Sequence, residues 1–153
     1  MNLMPWTPLA VLAALCAAAT WFDLAERRIP NWLCAVAAVS GLAAAFLEGG
    51  LGDLGNHALH MVIALGGGMV LFAIGGFGGG DAKLYAAVAS WFALQQALLL
   101  LVSVALSGFL LLIVWFGYRR ARGIPVRRVH ENAFDGLPYG VAIGLGAMIA
   151  ATV

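Results

Sequence analysis

Charge is what this sequence has least of. Asp, Glu, Lys and Arg make up 10% of its 153 residues, against roughly a quarter in an ordinary soluble domain. With 8 Lys plus Arg and 7 Asp plus Glu, there is too little charge to coat a water-facing surface, which excludes a soluble enzyme and a disordered chain. Cysteine is nearly as scarce. Cys16 and Cys34 lie in apolar stretches, rule out a disulfide scaffold, fit no metal-ligand spacing and read as small packing residues. The net charge of +1 offers nothing to nucleic acid. Of three histidines, His57 and His60 stand three apart and His130-Glu131 has no second His after it. They read as structural, so neither a metal nor another cofactor is expected. No Lys or Arg precedes Arg27, so the basic start of a cleaved signal is missing. Leu15, before Cys16, is too large for a lipoprotein processing site, and the first apolar stretch is expected to be a retained membrane helix.

What the chain does have is apolar side chains, 63% of it. In hydrocarbon the backbone must pair with itself, which leaves helices or a closed barrel. Strict alternation is absent and Ala and Leu dominate, so helices win. The expected fold is all-α, a single membrane domain over 1–153 built as a bundle of six transmembrane helices. Thr7-Pro8 reads as an N-cap followed by the first helical residue, opening a helix to about residue 24. Pro30-Asn31 opens a second to about 47, stopped by Gly49-Gly50. A polar loop, 52–56, precedes a third over about 57–74, which Gly75-Gly76-Phe77-Gly78-Gly79-Gly80 breaks. Helices over about 82–94 and 96–118 are separated at Gln95-Gln96, because one uninterrupted helix would reach roughly 55 Å against a core of about 30 Å. Leu137-Pro138 opens the last. Gly66-Gly67-Gly68, Gly140, Gly144 and Gly146 suit close helix contact.

Six crossings with the N-terminus outside gather Arg27, Arg28, Lys83, Arg119, Arg120, Arg122, Arg127 and Arg128 at the inner face, as the positive-inside rule requires. Five crossings would split them. The 119–128 cluster then reads as a topology determinant touching anionic lipid heads.

Ionisable groups at membrane depth are costly and need a reason. Asp23 ends the first helix, where partial negative charge disfavours a carboxylate; a bland reading pairs it with Arg27 or Arg28. Asp81 follows Gly78-Gly79-Gly80 and precedes a helix, so it could be an N-cap and nothing more. Three bare residues beside an acid, however, let an extended peptide approach closely. Two aspartates from separate helix ends at one face point to a dyad. Such a pair shares a proton, one carboxylate taking a proton from water while its partner polarises a carbonyl.

These residues resemble a known family. Asp23-Leu24-Ala25-Glu26-Arg27-Arg28-Ile29-Pro30-Asn31 is similar to the first signature of the type IV prepilin peptidases. Gly78-Gly79-Gly80-Asp81-Ala82-Lys83-Leu84 is similar to their GxGD motif with its following lysine, and Leu137-Pro138-Tyr139-Gly140 to their third motif. The resemblance implies an aspartic endopeptidase of the bacterial inner membrane that removes the basic leader of prepilins at the cytoplasmic boundary. Prepilins, with pseudopilins as further candidates, and the lipid bilayer are the partners it implies. Asp23 and Asp81 take the catalytic positions; Gly78, Gly80, Lys83, Pro30, Asn31, Pro138 and Tyr139 take motif positions. The stretch between the first two helices is a few residues and holds no CxxC pairs. That resembles the short form accompanying tight-adherence (Flp) pili, without N-methyltransferase activity.

Two rivals remain at this stage. Asp135, just before the last helix, could replace Asp23 as the partner of Asp81. In the other, the chain is a non-catalytic scaffold or a proton-coupled carrier whose acids serve as caps or relay sites. Small-residue faces serve contacts within a bundle and between bundles alike, so the number of copies is not legible.

Overall fold

The computed structural model describes residues 5–122 and 139–153. Among these the fold is all-helical: α1 (Trp6–Glu26), α2 (Asn31–Ala73), α3 (Gly79–Ala89), a 3-10 turn (Leu94–Gln96), α4 (Ala97–Ala121) and α5 (Tyr139–Thr152). Three stretches, Trp6–Glu26, Asn31–Ala73 and Leu94–Ala121, are long and apolar enough to cross a membrane. Their outer faces carry exposed Leu47, Val62, Met69, Leu98, Leu106 and Phe109, side chains that lipid solvates and water would not.

At 43 residues, α2 would measure about 65 Å if straight, twice a bilayer core. It is not straight. Gly50 has φ 67° and ψ −148°, a backbone state in which only glycine is at ease, and the helix divides there into arms 31–49 and 51–73. The arms run antiparallel on either side of α3. From the first, Ala37 and Ala38 accept bonds from the side chains of Trp91 and Ser90 beyond the end of α3, while Asn31 meets Lys83 near its start. The second reaches Ser90 and Phe92 through His57 and His60 and returns to Ala82 at Gly68.

The break expected at Gly49-Gly50 is therefore present, but the polar loop expected over 52–56 is helical. Its polar side chain is used without leaving the helix. Asn56 accepts from the Leu94 N–H at 2.7 Å and donates to Gln95 Oε1 at 3.2 Å, so it braces the turn that was expected at Gln95-Gln96. The first helix also starts earlier than Thr7-Pro8 indicates. Pro5 occupies the N-cap, and Pro8 falls inside the first turn, where a missing N–H costs nothing.

α3 lies inside the bundle. Ala82, Leu84, Ala86, Ala87, Val88 and Ala89 are all buried, and at eleven residues the helix is only about 16 Å long. Where it stops, its freed carbonyls find side-chain donors: His57 Nδ1–H to the Ser90 carbonyl and His60 Nδ1–H to that of Phe92, each 2.9 Å. The two histidines thus fasten a turn. His60→Leu is expected to leave a buried carbonyl unpaired, at about 1–3 kcal/mol. That would lower the melting temperature in detergent by several degrees, and an unchanged melting curve would contradict the assignment.

α5 packs against both α1 and α4, at Gly144 against Cys16 and Thr20 and at Gly146 against Val104. Cys16 and Cys34 are buried free thiols within the core. The end of α1, both ends of α2, and the starts of α3 and α5 meet at one end of the bundle: Ile29 touches Gly80, Phe72 lies against Gly79, and Asp23 lies against Gly140.

Candidate active site

At that meeting point a polar pocket of about 510 Å³ opens, lined by Asp23, Arg27, Arg28, Ile29, Asn31, Gly78, Gly79, Gly80, Asp81, Lys83 and Tyr139. Each wall follows from a helix terminus. α1 ends when Arg27 turns left-handed (φ 54°, ψ 27°) and donates its N–H to the Asp23 carbonyl, which swings the chain into Pro30, the N-cap of α2. α3 begins one glycine after its cap, Gly78, so Asp81 is its third residue. Asp81 is thus not the N-cap. Its carboxylate turns back over the helix start toward the backbone of Gly78, which is where a third-position acid meets an unpaired N–H and the positive end of the helix.

Asp23 is only 8% exposed. Its Oδ2 accepts the Gly140 N–H at 2.7 Å, so the hydrogen bond that holds it comes from α5 and not from the neighbouring arginines. Asp81 belongs to none of the three spans. Burial, and then the charge of Asp23, push its carboxyl up to about 6, the behaviour of two acids facing one site.

Most of the sequence-predicted positions come together here. Asp23, Asp81, Gly78, Gly80, Lys83, Asn31 and Tyr139 all line the pocket, with Pro30 capping α2 beside it. Lys83 donates to Asn31 Oδ1 at 3.0 Å, tying the start of α3 to the start of α2. Tyr139 lies edge-on to Phe77, ring centroids 5.7 Å apart. Pro138 and Asp135 lie outside the described residues. Among those described, no three His, Cys, Asp or Glu side chains gather as a metal would need.

Gly140 was expected as a close-contact glycine within the third motif, Leu137-Pro138-Tyr139-Gly140; that its N–H would bond Asp23 was not read from the sequence. The available signal was physical: an acid disfavoured at its own helix end needs a donor, and the first turn of another helix supplies one.

Beside this pocket, and sharing Tyr139 with it, runs an apolar groove of about 900 Å³ between the second arm of α2 and α4, lined by residues such as Ile63, Leu71, Leu101 and Phe109.

In a comparison with known families, the model of the type IV leader peptidase family matches residues 10–115. The matched stretch includes both aspartates and stops short of α5. Neither the curated proteins nor the solved structures yield a match.

Proposed function

The chain belongs to the type IV leader peptidase family, and from that premise we propose that it is an aspartic endopeptidase that cuts prepilins with Asp23 and Asp81. The observation that carries the reading is the convergence of those two carboxylates on one pocket beside bare glycine backbone. Asp81 keeps the shared proton and Asp23 is the charged partner. Asp23 takes a proton from water as its oxygen bonds to the scissile carbonyl carbon, while Asp81 donates toward the carbonyl oxygen. The resulting gem-diol collapses as Asp23 passes the proton it took from water to the amide nitrogen, Asp81 takes one back from a hydroxyl, and the C–N bond breaks to leave a carboxylic acid and a free amine.

Gly78, Gly79 and Gly80 leave room for an extended peptide to lie against the acids. Lys83, Asn31, Pro30 and Tyr139 shape the pocket around it. Among the described residues six helical segments alternate in direction, counting the α2 arms separately, with α3 enclosed by the rest. Arg27, Arg28 and Lys83 at the pocket, with Arg119, Arg120 and Arg122 at the end of α4, support a cytoplasmic site in the bacterial inner membrane with the N-terminus outside. Residues 27–30 alone join α1 to α2, a connection too short for a cysteine-bearing insertion. That supports the short, Flp-type form acting on prepilins and pseudopilins without methylation.

The reading is tested by coexpression with a prepilin, leader loss being read as a mobility shift on a gel. The pH profile is a second check. Because Asp81 must hold its proton, kcat/KM is expected to fall about tenfold per pH unit on the alkaline side of its pKa, which burial and Asp23 place at about 6. A profile flat to pH 9 would contradict the assignment of the acid.

A further inference from the structure

Asp23 is badly served by its own helix. It lies in the last turn of α1, where unpaired carbonyls create partial negative charge and repel a carboxylate. Relief comes from a residue 117 positions away, the Gly140 N–H at 2.7 Å from Oδ2. Gly140 is the second residue of α5, so its N–H belongs to the first turn that a helix leaves unpaired, at the end with positive partial charge.

The approach depends on there being no side chain. A Cβ on Gly140 would stand 2.8 Å from Asp23 Oδ2, 2.9 Å from its Cβ and 3.1 Å from its Cγ. These atoms belong to one short, buried side chain, which has no means of stepping aside while keeping the bond. The next glycine along the same face differs. At Gly144 a Cβ would meet Thr20 Oγ1 at 3.2 Å and Cys16 Cβ at 3.5 Å, and a hydroxyl can rotate away. Gly78 stands to Asp81 much as Gly140 stands to Asp23, since a Cβ there would lie 2.5 Å from Asp81 Oδ2.

Resting on the aspartic peptidase reading, we infer that Gly140 is a positioning residue, its backbone N–H engaging Oδ2 of Asp23 so that Oδ1 is the oxygen turned to water and substrate. The bond also makes α5 a wall of the site, so the pocket is complete only when the last helix is docked on the first. Arg27 and Arg28 after α1, Asp81 and Lys83 on α3, and Tyr139 on α5 face the same space.

The test compares Gly140→Ala with Gly144→Ala in the full chain, purified in detergent, cleaving a synthetic leader peptide that extends into the apolar segment of a prepilin. Losing a hydrogen bond to a charged group is worth about a 10- to 100-fold change. Gly140→Ala is expected to lose that much in kcat with KM within about twofold, whereas Gly144→Ala keeps kcat within about threefold. Equal losses in kcat for the two variants would overturn the inference, because ordinary packing would then explain both.

A second measurement needs neither cleavage nor a folded Gly140→Ala. The amide proton resonance of Gly140 is expected downfield in the wild type and shifted upfield in Asp23→Asn. An unmoved resonance would also overturn the inference. A wild type that cuts no leader but shows the shift would remove the peptidase reading and support the placement of Asp23 by Gly140.

Discussion

Asp81→Asn is expected to leave the protein inserted and folded and to abolish leader cleavage, and Asp23→Asn to do the same. The amide is nearly isosteric and keeps the acceptor oxygen, so the helix start at Gly78 and the bond from Gly140 both have a partner. What disappears is the proton chemistry. Asparagine neither takes a proton from water nor supplies one to a carbonyl, and general acid–base catalysis is worth about 10²–10⁴-fold per group. On a coexpression gel that is complete loss of the processed band, with the variant still recovered from membranes. Normal processing by either variant would end the dyad reading. Asp135→Asn separates the two candidate pairs: with Asp23 as the partner of Asp81 it leaves processing largely intact, and if Asp135 were the partner it would silence the enzyme.

Gly146→Ala should produce the largest loss of stability. A Cβ at that position would stand 2.5 Å from Val104 Cα and 2.6 Å from its backbone nitrogen. Backbone has no rotamer to escape into, so α4 and α5 must separate along their contact. Overpacking of this kind costs about 1–3 kcal/mol, occasionally more. In a bilayer, helix association rests on close packing rather than on the hydrophobic effect. The expected readout is a lower melting temperature and a smaller monodisperse peak in detergent. Gly66→Ala is the control: no atom lies within 4 Å of a Cβ there, and alanine is the better helix former by about 1 kcal/mol. A Gly146 variant as stable as the Gly66 variant would show that the α4–α5 contact is not tight.

The same pair of glycines shows how far the sequence can be read. Glycine inside an apolar helix signals close contact, and at Gly41, Gly68, Gly144 and Gly146 a neighbour is indeed within reach. At Gly66 and Gly67 nothing is, because the identity of a residue does not say which way its face is turned. That Asp23 and Asp81 would face one pocket was legible, since a charge in so apolar a chain demands an explanation and the flanking glycines and Pro30-Asn31 pointed to one. The donor beneath Asp23 was not, because it belongs to the backbone and comes from the far end of the chain. Helix ends were legible where a residue forces them, as at Pro30 and Gly50. They were misjudged where polarity alone was the guide. Residues 52–56 look like a loop only until Asn56 is seen reaching across to the 3-10 turn without leaving its helix.

The enclosure of α3 has a wider consequence. Flanked by both arms of α2 and in contact with α5, it meets neighbouring helices where the long spans meet acyl chains, and alanine is therefore enough to clothe it: Ala82, Ala86, Ala87 and Ala89. Greasiness along a chain records which surfaces touch fat, not which segments sit at the centre of the assembly. In a protein of this design the segment carrying a pocket acid can be the least oily of all, and a hydropathy plot would pass over it first.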